Sequence, residues 1–393
     1  MPAIEAFGHH EADPRALLYY EWCQRIESGY AVAEFDEEVH DLAQSDRPLE
    51  AACWRLLDRI ESAPRLPEWP YLEWADQPAG TDAADTNDRG ALRDSAAHIP
   101  LADLAHAELF DRIHGGWLGR CAVGARTKPL DYTVLGLHLM EQYGVDFMAD
   151  DVCALWLERL PFLQTYTAER VAYRNLIDGF APPDTATYRN PYREWAGALM
   201  RADIYGYTSP GAPTRAAALA ARDASVSHTG NGLWAAMWAA ALIAAAFTAG
   251  DPGEALARAG AVIPAESRLA VELSQVLADH TQGRTWEQAV DRIRTRDGHY
   301  NPFHAIGNAC LITAGLLWGA GDFTSTVELT VQSGWDADSN GATAGSVAGI
   351  LIGAARIPEQ WTAPLGDTLR SAVAGHTTTL ISELATRTLH LLP

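Results

Sequence analysis

The sequence predicts an all-α protein, a compact bundle of many helices that carries a helical extension at its N-terminus. Three observations favour this class. Apolar residues recur at three- and four-residue steps near the N-terminus, Ala-rich helical segments follow one another from about residue 101, and alternating strand patterns are scarce. With 393 residues, of which 48% are hydrophobic, the chain can bury a sizeable core.

The chain divides into three parts. Residues 1–62 form the predicted helical extension, in which Leu18 and Trp22 are typical of the apolar periodicity. Residues 63–100 are rich in Pro, Asp, Gly and Ala, and this composition predicts an irregular surface connection. Residues 101–393 are expected to form the main all-α domain.

Two helical segments of the main domain carry unusual patterns. Residues 232–247 contain no charged residue, so we expect a helix that is buried on every side. Residues 341–354 place a glycine at every fourth position, which forms a ridge along one helix face. Glycine costs up to about 1 kcal/mol per helical position relative to alanine. Close packing of another helix explains that cost best, and close approach of a ligand is the alternative.

Composition excludes several classes of function. The net charge of −22 repels phosphate backbones, so we expect no nucleic-acid partner. The longest apolar run has 15 residues, which is short for a membrane span, and the N-terminus has no signal-peptide pattern. The five cysteines are widely spaced, without a zinc or CxxC pattern, which indicates reduced thiols and a cytoplasmic protein.

The stretch "SGWDADSNGATAG" places Asp336 and Asp338 one residue apart, directly before the glycine-rich helix. Local physics favours helix capping, because acidic side chains stabilise the positive end of a helix dipole. The alternative is a hard-cation site. Two carboxylates two positions apart in a loop can converge on one ion, and the Ser339 hydroxyl can add a third oxygen.

Four segments in the same order resemble the ADP-ribosylglycohydrolase family. "DRIHGGWLGRCAVG" (111–124) is similar to its opening helix, and "SHTGNGLWAAMWAAALIAAAF" (227–247) is similar to its central helix. "NPFHAIGNACLITAGLLWGAGDF" (301–323) resembles the penultimate helix, and "GWDADSNGATAGSVAGILIGA" (334–354) resembles the C-terminal signature. The resemblance implies an all-α fold, and in most members two Mg²⁺ or Mn²⁺ ions at the site of hydrolysis.

The resemblance assigns roles to the acidic stretch. Asp336 and Asp338 match metal ligands of the family and are also candidate catalytic groups, while Ser339 matches the hydroxyl ligand. Trp335, beside them, is expected to line the cleft and contact the substrate. With the resemblance added, we favour a functional origin for the acidic pair over capping alone.

The family's first metal-binding region is shortened in this chain. In "GRCAVGARTKPLDYTVLGLHLMEQYG", two family motifs are fused at Lys128 and Asp131, and the loop that carries the first aspartate pair in relatives is missing. The two-metal site is therefore doubtful. One Mg²⁺ or Mn²⁺ on the acidic pair is possible, as is a metal-free site in which Lys128, the single lysine, supplies positive charge. Asp131 is a candidate catalytic residue that we expect to share one cleft with Asp336 and Asp338.

Four further residues are candidates in the central part of the chain. His228 can act as an acid or base near neutral pH, or bond to the backbone at the helix start. Asn231 and Gly232 shape that start, and either can contact substrate. Tyr207, in the segment "YGYTSPG", can stack on a ring.

His304 and Asn308 are four residues apart on one helix face and are expected to be core hydrogen-bond partners.

The predicted function is hydrolysis of a glycosidic bond. Water would attack the anomeric carbon of an N- or O-ribosyl bond in a small ADP-ribosyl, nucleotide or nucleoside-like molecule, including NAD-derived ones. The alternative is a family member that has lost catalysis and acts as a ribosyl-ligand binding or regulatory protein. The missing aspartate pair supports that alternative, and the retained Asp336, Asp338 and His228 oppose it.

Overall fold

The computed structural model describes residues 10–45, 49–71, 73, 105–124 and 128–392, and these residues form twenty α-helices. The helices are α1 (Pro14–Glu27), α2 (Asp36–Ala43), α3 (Glu50–Glu61), α4 (His106–Gly124), α5 (Lys128–Tyr143), α6 (Ala149–Arg159), α7 (Thr167–Ile177), α8 (Asp184–Thr187), α9 (Gly197–Arg201), α10 (Asp203–Tyr207), α11 (Pro213–Ala224), α12 (Gly230–Ala246), α13 (Pro252–Gly260), α14 (Arg268–Thr281), α15 (Trp286–Asp297), α16 (Ala305–Gly319), α17 (Phe323–Gln332), α18 (Ala337–Ile352), α19 (Glu359–Thr362) and α20 (Ile381–Leu389). Within the described ranges the single sheet is an antiparallel pair, β1 (Thr368–Arg370) and β2 (Thr378–Leu380). The predicted all-α class is confirmed.

Several helices begin where the sequence supplies a capping side chain. Each cap accepts a hydrogen bond from a backbone N–H two or three residues later and so satisfies a donor that the first helical turn leaves free. These caps are Asp13, Asp251, Ser267, Thr285 and Asp322.

The N-terminal helices build a small core of their own and then pack on the main domain. Leu18, Val39 and Leu56 belong to that small core. Leu17, on the same helix as Leu18, packs instead with Val171 and other apolar residues of the main domain. The described part of the predicted connection, residues 63–71 and 73, contains no helix, and residues 74–100 lie outside the described residues.

Helices α12 and α18 form the centre of the main domain. In α12 every residue except Met237 is buried, and in α18 every residue from Ser339 to Ile350 is buried. The prediction of a buried helix at residues 232–247 is confirmed, with Met237 as the exception. A charge-free helix of this kind lies inside the protein because any exposed face would leave apolar surface in water.

The glycine ridge of α18 packs directly against a second pair of glycines on α4. A Cβ at Gly345 would overlap the carbonyl oxygen of Gly119, and a Cβ at Gly349 would overlap that of Gly115. The two backbones therefore meet without intervening side chains, and close helix packing is confirmed as the reason for the ridge.

None of the described helices is both long and apolar enough to span a membrane.

Candidate active site

The acidic stretch lies in a sharp turn between α17 and α18. Gly334 and Trp335 both have positive φ angles, 81° and 55°. Glycine adopts this conformation freely, whereas for a bulky residue such as tryptophan it is rare and strained. Strain of this kind persists only where the surrounding structure enforces it, and it is common at functional sites.

Packing against α16 enforces the conformation of Trp335. The Trp335 ring lies so close to Gly307 that any Cβ at position 307 would overlap the ring. Trp335 is nevertheless only partly buried, so part of its ring remains available beside Asp336. The turn thus holds an aromatic side chain rigidly next to the acidic pair.

Asn308, one residue further along α16, fixes the backbone of the turn. Its Oδ1 accepts hydrogen bonds from the Asn340 side chain at 2.7 Å and from the Asp336 backbone N–H at 3.4 Å. Its Nδ2 donates to the carbonyls of Pro302 and His304, both at 2.8 Å. The predicted core hydrogen-bonding role of Asn308 is confirmed, and the side chain connects α16 to the start of α18.

The two carboxyl groups of the acidic pair differ in environment. Asp336 is partly buried, whereas Asp338 is exposed. Burial, and after it the neighbouring Asp338 carboxylate, raises the pKa of Asp336 to about 7, and the hydroxyl and N–H of Ser339 oppose this increase. Asp336 stands at the N-cap position of α18, but its side chain makes no capping hydrogen bond of standard geometry. The Ser339 N–H, three residues further on, still interacts with the Asp336 carboxylate, so a capping contribution of this residue stays part of the interpretation.

Asp131 lies on α5 and is hydrogen-bonded to the loop between β1 and β2. Its Oδ1 accepts a hydrogen bond from the Ala372 N–H at 3.0 Å, and the side chain is almost fully buried. Burial raises the pKa of Asp131, while the Ala372 N–H and the Ser371 hydroxyl oppose that change. The hydrogen bonds of this carboxylate thus go to the β-hairpin.

Few of the described side chains near the acidic pair are suited to bind a metal ion. Across the described residues, no group of three or more His, Cys, Asp or Glu side chains is arranged to hold a metal, so Asp131 does not form such a group with Asp336 and Asp338. Asp336, Asp338 and Ser339 supply two carboxylates and one hydroxyl. Oxygen donors of these types are the ligands that a hard divalent cation prefers, with water in its remaining positions. The raised pKa of Asp336 agrees with this fit, because a cation would offset the repulsion between the two carboxylates.

Arg294 is a basic side chain beside the turn. Its guanidinium donates a hydrogen bond to the Ser333 carbonyl at 2.9 Å. The ion pairs found in the described part of the chain do not include one between Arg294 and either member of the acidic pair.

His228 lies in the protein interior, where both ring nitrogens have partners. Nδ1 is 2.7 Å from the Ser227 hydroxyl, and Nε2 accepts a hydrogen bond from the Ala198 N–H at 3.3 Å. Burial, and after it the charge of Arg201, holds the pKa of His228 well below its ordinary range. The residue is a neutral structural histidine in this arrangement, and we leave it out of the proposed catalytic set.

Asn231 and Gly232 open α12 and face a buried polar network. The Asn231 Nδ2 donates to Glu73 at 2.9 Å and to Glu194 at 3.1 Å, and its Oδ1 accepts from the Leu269 N–H at 3.1 Å. A Cβ at Gly232 would overlap the backbone of residues 193–194. The polar atoms of the Asn231 side chain, which we expected to contact a substrate, are therefore hydrogen-bonded within the protein.

Tyr207 is also a core residue. Its ring lies 5.3 Å from that of Trp117, and its hydroxyl is 2.7 Å from the Ser346 hydroxyl. The side chain is fully buried, so it cannot contact a substrate in this conformation.

Lys128 begins α5, and its side chain lies outside the described part of the structure.

A charged network that no sequence motif predicted surrounds Asn231. Arg268 lies between the carboxylates of Glu73 and Glu194, at 2.9 and 2.7 Å, and all three side chains are buried. Its NH1 also donates to the Glu27 carbonyl at 2.9 Å. These residues come from distant parts of the chain, and no local pattern in the sequence joins them.

Comparison with known proteins agrees with the fold and the motifs. The sequence matches the profile of the ADP-ribosylglycohydrolase family over residues 89–391. Among solved structures, a chain from an "ADP-ribosylglycohydrolase-related protein complex" is similar, with 21% sequence identity and a TM-score of 0.51, over 72% of this chain and 98% of that chain. At this identity the similarity shows a shared fold. A comparison with curated proteins finds no match.

The acidic turn, the close-packed glycine helices and the buried central helix all lie within the matched residues. Because the family profile covers well over half of the chain, this protein belongs to the ADP-ribosylglycohydrolase family, a family of glycohydrolases.

Proposed function

We propose that this protein hydrolyses an N- or O-ribosyl bond in a small ADP-ribosyl, nucleotide or nucleoside-like molecule, with NAD-derived metabolites among the candidates. The observation that carries the proposal is the acidic turn. Asp336 is partly buried with a raised pKa, Asp338 is exposed beside it, and Trp335 is held rigidly next to both. A fold that needed only a helix cap would not require two adjacent carboxyl groups and a strained tryptophan.

The acidic pair suits attack of water on an anomeric carbon. Hydrolysis of a glycosidic bond passes through an oxocarbenium-like transition state that carries positive charge on the sugar ring. The Asp338 carboxylate can stabilise that charge, and the Asp336 carboxylate can accept a proton from the attacking water and return it to the leaving nitrogen or oxygen as its bond to the anomeric carbon breaks. In the absence of a cation, the pKa near 7 makes Asp336 a competent base close to neutral pH, whereas a bound cation would itself activate the water.

One Mg²⁺ or Mn²⁺ ion is the cofactor that we propose, held by Asp336 and Asp338 with the Ser339 hydroxyl as a further oxygen ligand. Such an ion would lower the pKa of a bound water and so favour formation of the nucleophile. We propose Trp335 as the aromatic wall on which a base or sugar ring of the substrate packs.

A small substrate is favoured by two features. The fusion of the two motifs at Lys128 and Asp131 removes the loop that carries the first aspartate pair in relatives. The network around Arg268, which includes Glu73, covers the start of α12.

We also propose that the protein acts in the cytoplasm, since its five cysteines are free thiols.

The test is a turnover assay with NAD, a nucleoside and an O-linked ADP-ribose as separate substrates, with Mg²⁺ or Mn²⁺ added and the free ribosyl product measured by chromatography. Asp336→Asn is expected to abolish product formation while the circular dichroism spectrum stays unchanged. Asp41→Asn, an exposed aspartate on α2, is the matched control and should keep full activity. Full activity of Asp336→Asn on a verified substrate would reject the catalytic assignment.

A second candidate is a ribosyl-ligand binding protein without catalysis. The observation that favours it is the hydrogen bond of Asp131 to the β-hairpin, since among the described residues Asp131 does not join the acidic pair in a group that could hold a metal. This candidate predicts that ADP-ribose raises the melting temperature while no substrate is turned over, because a ligand that binds only the folded state stabilises it. Product formation that Asp336→Asn abolishes would exclude it.

A further inference from the structure

The loop between β1 and β2, residues 371–377, is fastened to the helices beneath it at three points. The Ala372 N–H donates to Asp131 Oδ1 at 3.0 Å, and the Ala374 N–H donates to the Arg159 carbonyl at 3.0 Å. The third point is a contact between two histidines, in which the Nε2 atoms of His138 on α5 and His376 in the loop are 2.7 Å apart.

The histidine contact has a strict protonation requirement. Two imidazole nitrogens at 2.7 Å form a hydrogen bond only when one carries a proton and the other offers its lone pair. If both nitrogens carry protons, neither can accept, and two positive rings face each other across the contact. The bond is therefore compatible with one charged histidine and incompatible with two.

The charged groups that face the pair do not compensate a second positive ring. Glu141, on α5, lies 3.3 Å from His138 Nδ1, but its two oxygens also bind Arg387 of α20, both at 2.7 Å. Arg159 of α6 lies 3.5 Å from the position of a Cβ built on Gly375, and its guanidinium forms an ion pair with Glu158 at 3.1 Å. The carboxylates of Glu141 and Glu158 are thus each bound to a guanidinium group before either histidine is charged.

The electrostatics agree with this geometry. Burial, and after it Arg159, lowers the pKa of His138, and Glu141 opposes the change. Burial, and after it His138 itself, lowers the pKa of His376. Each ring therefore disfavours a charge on the other.

We propose that His138 and His376 form an acid-sensitive latch, which holds loop 371–377 against α5 at neutral pH and releases it when both imidazoles become protonated. Release frees the Ala372 N–H from Asp131 and exposes that buried carboxylate to solvent. The latch rests on the geometry of the loop and is independent of the proposed hydrolysis, so neither result decides the other.

The test is amide hydrogen exchange on the full-length protein at pH 7.5 and pH 5.5, corrected for the pH dependence of intrinsic exchange. Protection of the Ala372 and Ala374 amides is expected to fall by about tenfold at pH 5.5, because each imidazole of the released loop, with its ordinary pKa of about 6.5, is about 90% protonated there while the closed contact excludes the second proton. Protection in α12 should stay unchanged, which separates local release from global unfolding.

Two variants isolate the latch. His376→Gln and His138→Gln each replace a titrating ring with an amide that cannot become charged, so protection of loop 371–377 should no longer depend on pH. His40→Gln, which changes a histidine on α2, is the control and should behave as the wild type. Equal protection of the wild-type loop at both pH values would overturn the proposal, as would a histidine variant that keeps the wild-type pH dependence.

A measurement on the wild-type protein covers the case in which a variant fails to fold. The Hε1 resonances of His138 and His376 should titrate together and below the ordinary pKa of about 6.5. Independent titration of the two rings at the ordinary value would reject the latch.

Discussion

The guanidinium of Arg268 binds the carboxylate of Glu73, with Nε 2.9 and 3.1 Å from its two oxygens, although 195 positions of chain separate the residues. The backbone N–H of Arg268, at the first position of α14, donates to the same carboxylate at 3.0 Å. Glu73, from the predicted connection at residues 63–100, is thereby bound at the start of α14 in the main domain. The helix dipole favours a carboxylate at that position.

Arg268→Ala is expected to lower the free energy of unfolding by about 3–5 kcal/mol, because it leaves Glu73 and Glu194 buried without their cationic partner. Urea denaturation measures the change. Arg59→Ala is the control, since the Arg59–Glu38 pair has a similar distance of 2.8 Å but is about half exposed. Exposed pairs of this kind contribute about 0–1 kcal/mol. Equal effects of the two variants would contradict the structural role of the Arg268 network.

Gly345→Ala should destabilise the protein by about 1–3 kcal/mol, because the added methyl group overlaps the Gly119 carbonyl and forces α4 and α18 apart. Gly260→Ala is the matched control. It is also a helical glycine, but a Cβ there meets no heavy atom within 4 Å, so alanine should be neutral or stabilise by up to about 1 kcal/mol. Thermal or urea unfolding of both variants tests the contact, and a neutral Gly345→Ala would contradict it.

Glu27 provides a pH-dependent stability test. Burial raises the pKa of Glu27 in the folded protein from 4.5 to about 8, even though Arg268 opposes the shift. Because the folded-state pKa is the higher one, the unfolded state loses its proton first, and the wild type loses stability as the pH rises from about 4.5 to about 8. Glu27→Gln removes this loss.

The difference in unfolding free energy between Glu27→Gln and the wild type should therefore increase in favour of the variant between pH 5 and pH 8.5. We expect an increase on the order of 2 kcal/mol, less than the full pKa shift implies, because water reaches part of the side chain. Urea denaturation at the two pH values measures it, with Glu37→Gln on the surface of α2 as the control. A difference that is the same at both pH values would rule out the raised pKa.

A double-mutant cycle tests how Trp335 is held. Gly307→Ala should destabilise by about 1–3 kcal/mol, since its methyl group overlaps the Trp335 ring. In a Trp335→Ala background the ring is gone, so the same substitution should cost less than half as much. Additive effects in urea denaturation would show that Gly307 and Trp335 do not contact each other in solution.

The central helices follow directly from local composition. A charge-free segment such as residues 232–247 can only be buried, and a glycine at every fourth position of α18 leaves a flat face that another backbone can approach. The acidic pair was also visible in the sequence, because Asp336 and Asp338 are separated by one residue and belong to a recognisable motif.

The partners of individual polar side chains depend on contacts that sequence spacing does not encode. His228 was a candidate acid or base and Tyr207 a candidate for stacking on a substrate ring, yet both are buried with their polar atoms engaged by the protein. A sequence motif predicts where a residue lies along its helix. It does not predict which other helix or loop packs against that residue.

The sequence by itself therefore determined the all-α class, the family, the buried central helices and the position of the acidic turn, because each depends on residue type and short-range spacing. Only the tertiary structure decided which side chains remain open to a ligand. Asn231 donates a hydrogen bond to Glu73, which is 158 positions away in the sequence. Asp131 accepts one from Ala372 of the β-hairpin, which is 241 positions away. Such long-range hydrogen bonds form because buried polar groups must find partners wherever the fold brings them together.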